Sequence, residues 1–302
     1  MSKKTIVEGY PDKIVALIKT RDRKLRKALP PYINGNTYKL LIINTKLWRV
    51  GVLRVSFKGG SSELHGNIAN VVSRWCRYGG IEFDFGHNEE TGEYRQWHEN
   101  DDSHIRVGFE YEGYWSLVGT DSTDPNIVSD GDITLNLSDF DKGLPADWEG
   151  TALHEFGHAL GFGHDHQIPT VKCGFDWDTV YEDLGGPPNN WSKETVDYNL
   201  RPVRDEGYTF SHDKFSIMHY ALPEWMFKDG VNSPCYTQQN HTLSVTDKQM
   251  MGVAYPQEKE IAEGIISNRI NYLNSIVAFK GLDENSTKRF TRQLEFLQKH
   301  KT

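Results

Sequence analysis

The stretch Thr151–His166 reads TALHEFGHALGFGHDH, and its geometry decides the fold. An α-helix turns about 100° per residue, so His154 and His158, four apart, stand one above the other on a single face. Two imidazoles placed that way can share one metal ion. Glu155 lies about 80° round from the middle of that face, close enough to reach a metal-bound water yet poorly set to be a ligand itself. Leu153, Phe156 and Leu160 fall on the opposite arc, so the helix can bury that side while its histidines face a cleft. Gly161 suits the left-handed conformation in which helices end, and the turn that follows returns His164 to the ion. Three neutral imidazoles with a fourth position left for water form the catalytic zinc arrangement, in contrast to the closed four-ligand structural one.

A bare HExxH usually means a surface helix. The longer pattern HExxHxxGxxH should arise by accident in roughly one chain in ten thousand of this composition, and that rarity favours the zinc reading. His166 falls outside the spacing and is expected behind the ligands or at the surface.

Working outward, 302 residues suffice for a sizeable buried core, and 37% apolar content with 8 Trp, 14 Tyr and 14 Phe argues against disorder. No window approaches the run of about 18 apolar residues that a membrane helix needs. The N-terminus, MSKKTIVEGYPDKIVALIKT, lacks the continuous apolar stretch of a signal peptide, so the expected location is the cytoplasm or outside the cell by a leaderless route. The net charge of -8 is unevenly spread: residues 1–27 hold nine Lys/Arg against three Asp/Glu, whereas residues 28–256 hold 17 against 33. An acidic middle excludes nucleic acid as the natural partner, and the basic leader can dock on that surface or face an anionic membrane, two readings between which the sequence does not choose. Cys76, Cys173 and Cys235 are too few for a disulfide framework. A Cys173–Cys235 bridge is open in an oxidising compartment, ordinary thiols are the plainer reading, and Cys76 reads as a small core residue.

Three parts emerge: a basic leader over residues 1–45, a compact middle over 46–256, and a tail over 257–302. In the leader, Ile14, Leu17, Ile18 and Leu25 form one helical stripe from Asp12 to Leu29, stopped by Pro30-Pro31. The middle opens with a strand at Val52–Phe57, a helix at Ser61–Tyr78, and strands at Ile81–Phe85, His104–Tyr111, Trp115–Thr120 and Ile133–Leu137. That order describes an α+β fold with one mixed five-stranded sheet, helices packed on it, and a C-terminal subdomain. The tail repeats Ile261, Ile265, Ile266, Ile270, Leu273, Ile276 and Val277, then Phe290, Leu294 and Leu297, as a helical hairpin whose plain role is packing.

A second feature, SIMHY at Ser216–Tyr220, lies about fifty residues downstream of the histidine motif. HEFGHALGFGH together with SIMHY resembles the metzincin zinc endopeptidases, marked by a long histidine motif and a methionine-containing turn, and is most similar to the astacin-like group. The resemblance covers Leu47–Pro256, where LSVTDKQMMGVAYP is similar to the segment that closes such domains. It implies a zincin catalytic domain in which His154, His158 and His164 bind one Zn2+, Glu155 is general base and acid, and Met218 floors the metal. Tyr220 would be a fifth ligand that swings out to steady the transition state. The residues Trp115, Ser116, Leu117, Val118 and Gly119 would form the edge strand along which a protein or peptide substrate lies. Trp225 and Phe227 would wall the pocket on the leaving-group side.

Departures from the family pattern accompany these matches. Asp165 follows the third histidine where astacins carry a glutamate tied to the freed N-terminus. The leader, a candidate prosegment, has no cysteine to plug the zinc, which leaves an acid such as Asp12 for that task. The loop Asp121–Asp132 offers Asp121, Asp124, Asp130 and Asp132, oxygen donors of the kind Ca2+ prefers, although it matches no defined calcium loop and a solvated turn is the plainer reading. A monomeric endopeptidase is expected, with a non-catalytic zinc-binding scaffold and a hydrolase of non-protein amides as the alternatives.

Overall fold

The computed structural model describes residues 8–28, 45–49, 51–202 and 211–300; the expected Pro30-Pro31 helix stop lies outside the described residues. A leader helix α1 (Asp12–Ala28) precedes β1 (Gly51–Lys58), α2 (Ser62–Val72), β2 (Ile81–Asp84), β3 (Ile105–Gly108), β4 (Tyr114–Ser116) and β5 (Leu135–Leu137). The helix carrying the histidine motif, α3 (Trp148–Ala159), follows, then α4 (Trp177–Leu184), α5 (Lys193–Leu200) and α6 (Val245–Ala254). The tail is α7 (Lys259–Val277) and α8 (Glu284–Lys299).

The five strands form one sheet in the order β2-β1-β3-β5-β4. All neighbours run parallel except β4, which pairs antiparallel with β5 and so stands at one edge. In β1, Leu53, Val55 and Phe57 are fully buried, as the alternating pattern requires of a strand with one face on the core. Helix α2 begins where the Ser61 side chain accepts from the Leu64 amide and lays Leu64, Ile68, Val71 and Val72 against the same core. The expected helix to Tyr78 stops at Val72 and resumes as a 3₁₀ turn over Trp75–Tyr78. That break lets the buried Trp75 donate Nε1–H to the Leu153 carbonyl of α3 at 2.9 Å. Cys76, on this turn, is half-buried rather than a core residue, and burial lifts its thiol to about 11.

Four strands are shorter than their sequence patterns: β2 ends at Asp84 and β5 begins at Leu135, while β3 and β4 lose more. Past Gly108 the chain leaves the ladder because the Asn136 side chain takes over the bonding: its Nδ2 donates to the Tyr111 carbonyl at 2.8 Å and its Oδ1 accepts from the Tyr111 amide at 3.2 Å. The run WSLVGT keeps strand form only to Ser116 and then tightens into a 3₁₀ turn over Gly119–Thr123.

A second apolar cluster, built from residues after helix α3, gathers Ile168, Phe175, Val180, Val196, Leu200, Tyr220, Leu222 and Phe227. Within it Cys173 and Cys235 form a disulfide, which corrects the plainer expectation of two separate thiols. Sequence spacing alone could not show that the loops bearing them meet.

Leader and tail pack together. Leu25 of α1 belongs to the apolar cluster of Ile266, Ile270, Leu273, Ile276, Phe290 and Leu297. Beside it, buried Arg21 places Nη1 2.7 Å from both Asp121 Oδ1 and Asp124 Oδ2, while Arg289 of α8 and Lys46 reach the same acids at 3.1–3.2 Å. Arg21 also pairs with Asp22 at 2.7 Å. Asp121 and Asp124 of this loop therefore face guanidinium and ammonium groups, whereas Asp132 accepts from the Ser129 amide at 2.7 Å.

His104 sits edge-on to both Trp48 and Phe296 of α8, with ring centroids 5.2 Å apart in each case. Its Nδ1 accepts from the Arg54 amide at 2.9 Å, and burial pulls its pKa from 6.5 down to about 4. A histidine held neutral in the fold contributes stability that is complete above pH 6.5 and is lost as pH falls through that value to about 4, here by about 2–3 kcal/mol. Unfolding free energies of the wild type and His104→Leu should therefore converge by that amount between pH 7 and 4. Parallel pH profiles would remove His104 from the acid sensitivity of the tail contact.

Candidate active site

Helix α3 presents His154, His158 and His164, from the turn beyond it, to one point: their nitrogens lie within 4.8 Å of one another, and all three rings are buried. The tautomers follow from the partners. His154 Nδ1 is 2.6 Å from the Ile217 carbonyl and His158 Nδ1 is 2.7 Å from the Phe162 carbonyl, so each Nδ1 carries the hydrogen and each Nε2 a lone pair. His164 turns Nδ1 to Gln167 Oε1 at 3.3 Å. His158 Nε2 and His164 Nε2 then face each other at 2.8 Å with no hydrogen to share, and His154 Nε2 is buried without a protein partner. Lone pairs so close repel unless a cation lies between them, and three neutral imidazoles oriented by carbonyl and amide oxygens are the donor set that fits zinc. Burial keeps them neutral, lowering His158 to about 4 and the other two well below their ordinary value.

Gly161, at φ 103°, ends the helix as expected and lets Phe162 turn its carbonyl back to His158. Gly157 has a different task that the motif did not announce. A Cβ there would lie 2.3 Å from Met218 Sδ, so the glycine allows the methionine to press against the helix directly under the histidines. Met218 is buried, and its carbonyl accepts from the Asp165 amide at 3.0 Å. The turn bearing it hangs on buried Asp247 of α6, whose carboxylate accepts from Ser216 Oγ at 2.6 Å, the Ile217 amide at 2.8 Å and the Ser244 amide at 2.7 Å. Asp247 and Gln167 escaped sequence reading. The SVTD capping box at Ser244–Asp247 was the available signal for the first.

Tyr220 packs at a tilt on His164, 4.0 Å between centroids, and stacks on His154 at 5.1 Å. His166 is buried behind the ligands rather than at the surface, parallel to Tyr220 at 5.0 Å, with Nε2 3.1 Å from the Asn199 carbonyl. Asp165 accepts from the Asp213 amide at 3.0 Å and pairs with His212. Phe227 is buried against Phe175, with ring centroids 5.2 Å apart, and Trp225 is exposed.

Glu155 is 1% exposed, and its Oε2 has no protein partner. The leader reaches the same atoms. Glu8 brings a carboxylate oxygen within 4.8 Å of donor atoms of both His154 and Glu155. Burial, and then the charge of Asp147, raises Glu8 to about 7; burial, and then Glu8, raises Glu155 well above the carboxylate range. The acid that reaches the histidines is thus Glu8 and not Asp12, whose carboxylate instead accepts from the Ser192 amide at 3.1 Å at the start of α5. The leader runs along the sheet edge: the Gly9 amide donates to the Tyr114 carbonyl of β4 at 3.3 Å. The Asn199 side chain grips the next residue from both sides, accepting from the Tyr10 amide and donating to its carbonyl at 3.0 Å each. A side chain at Gly9 would meet Trp191 and Asn199 at 2.8–2.9 Å, so a small residue is required where the segment passes between them.

No family model and no curated protein matches the chain. Solved structures similar to it include two of myroilysin. One is 29% identical over 72% of this chain and 98% of that one, with a TM-score of 0.59. The other is 30% identical over 70% of this chain and 86% of that one, with a TM-score of 0.50. High choriolytic enzyme 1, a hatching enzyme zinc-protease from Oryzias latipes (medaka fish), is 18% identical over 70% of this chain and 95% of that one, with a TM-score of 0.46.

Proposed function

Because this chain belongs to the astacin-like metzincins, a family of zinc metalloendopeptidases, we propose that it hydrolyses peptide bonds with His154, His158 and His164 as zinc ligands and Glu155 as general base and acid. Bound by those imidazoles, zinc supplies the Lewis acidity that lowers the pKa of water and polarises a carbonyl. An extended peptide pairs its main chain with β4, the open edge of the sheet, which sets the scissile carbonyl above the histidines. Glu155 takes the proton of the attacking water and returns it to the departing amine nitrogen. Tyr220, packed across two of the ligand rings, donates its hydroxyl to the developing oxyanion. The observation that carries this reading is the pair of facing lone pairs on His158 Nε2 and His164 Nε2, nitrogens 2.8 Å apart, beside the buried Glu155, whose Oε2 no protein group satisfies.

The leader is read as an inhibitory prosegment. Gly9 uses the strand edge a substrate would use, and Glu8 sits where water and the carbonyl would meet.

Zinc content and cleavage of a mixed peptide library, measured on the intact chain and on one beginning at Lys46, test the proposal. Chelator-sensitive cutting by the shorter chain is expected. Zinc in both forms with cutting in neither would leave a binding protein. Tyr220→Phe, measured in the shorter chain, should lower kcat about a hundredfold while leaving zinc content unchanged, the loss typical of one oxyanion donor. An unchanged kcat would take Tyr220 out of the reaction.

A further inference from the structure

A second group of metal-binding side chains lies behind the methionine turn, outside the site described above. His212, His219 and Cys235 bring ligand atoms within 4.8 Å of one another. His219 is 2% exposed; its Nδ1 lies 2.9 Å from the Tyr220 carbonyl and donates there, which leaves an Nε2 lone pair buried with no protein partner. His212 is held through Nδ1 by the Asp165 carboxylate, and its Nε2 is turned toward the Pro234 carbonyl at 3.2 Å, one residue before Cys235. A carboxylate on one ring nitrogen is the device that fixes a histidine's tautomer and presents the other nitrogen to a metal. The fourth donor is at hand, since Cys173 is bonded to Cys235.

We propose that Cys173, Cys235, His212 and His219 form a structural zinc site when the disulfide is reduced, so that one clasp exists in two forms, a disulfide or a Cys2His2 metal centre. Two sulfurs and two imidazoles match the closed tetrahedral set of structural zinc. The chemistry balances in two steps. A dithiol reductant transfers two electrons and two protons to the disulfide, giving two protein thiols and the oxidised, cyclic reductant. A divalent cation then binds both sulfurs as thiolates, and their two protons, with the one His212 gives up when its Nε2 turns to the metal, pass to the buffer. The rearrangement is small: the two sulfurs part and His212 Nε2 leaves the Pro234 carbonyl, while His219 Nε2 is already without a protein partner. Either form ties the loop carrying Cys173 to the segment that follows the methionine turn, and the metal form adds His219, which lies between Met218 and Tyr220. A chain made in a reducing compartment and working in an oxidising one would keep this tie throughout.

The experiment uses the full chain, equilibrated with Zn2+ or Co2+ in its oxidised form and after treatment with a phosphine reductant, then dialysed. The reduced protein is expected to hold one more metal ion per chain than the oxidised protein. Its cobalt form should show thiolate-to-cobalt charge transfer, a signature the sulfur-free His154, His158 and His164 set cannot produce. Cys235→Ser and His219→Ala should each remove the extra ion and weaken or abolish that band under reduction, while the metal content of oxidised His219→Ala stays at the oxidised wild-type value. That last value shows that the variant folds. Equal metal content in the two redox forms with no sulfur band would overturn the proposal. The outcome is independent of whether the protein cleaves peptides, since neither readout involves turnover.

Discussion

Glu155→Gln, in a chain trimmed to begin at Lys46, is expected to bind zinc as the wild type does and to lose at least about a thousandfold in kcat/KM. Glutamine keeps the shape and polarity of glutamate, and Glu155 projects away from the line joining His154 and His158, so the ligand set and helix α3 should be unaffected. What disappears is a group that accepts a proton in one half of the reaction and donates it in the other. Such proton transfer contributes about 10²–10⁴-fold, or about 3–5 kcal/mol of barrier. Here one residue serves both steps, which puts the loss in the upper part of that range. Metal analysis beside a fluorogenic peptide assay decides the matter. Activity within tenfold of wild type would hand the base role to another group, and loss of zinc would place Glu155 among the ligands.

The second large effect is expected in the untrimmed chain. Glu8→Ala should raise peptidase activity about 10- to 100-fold, partway to that of the chain beginning at Lys46. A charged contact that is removed costs about 1.5–3 kcal/mol, and 1.4 kcal/mol is a factor of ten in the docked fraction. Release is incomplete because the Asn199 grip on Tyr10 and the buried stripe Ile14, Val15, Ile18 and Leu25 remain. Asp12→Ala should raise activity far less, since Asp12 accepts from Ser192 and Thr195 at the surface. Progress curves on the three uncut proteins separate these cases. A Glu8→Ala protein as inactive as its parent would leave the leader a stabilising segment and nothing more.

The centre of the molecule was legible because its geometry is local. Four-residue spacing puts His154 and His158 on one face, and Gly161 at φ 103° brings His164 back, so a single helix and its end specify the donor set. Strand β1 was equally plain, its alternation being forced by one buried face. What could not be read depends on partners distant in sequence. Nothing near Gly157 says that Met218, sixty-one residues on, needs the room of a missing Cβ. Nothing near Cys173 says that Cys235 is its neighbour. The leader's helical stripe was clear, but Glu8, a lone acid seven residues from the start, carries no pattern of its own, and only the docked chain brings it to the histidines. Strand β3 is shorter than its pattern for a related reason, since the Asn136 side chain replaces the ladder past Gly108, and β4 is shorter because the chain tightens into a 3₁₀ turn over Gly119–Thr123.

The ion cluster between leader, domain and tail has one more consequence. Of its members, Arg21 and Asp22 belong to the leader and compensate each other, whereas Asp121 and Asp124 keep Lys46 and Arg289 when the leader is gone. Each set is electrically neutral by itself. Departure of the leader therefore strands no unbalanced charge inside the protein, which is the usual reason a buried ionic junction cannot be taken apart. The junction behaves as a plug and socket: its selectivity lies in the arrangement of charges, while the grip comes from Leu25, Tyr10 and Glu8. On the proposed reading, in which the leader is shed once, a seam of that kind lets the rest of the chain stay folded.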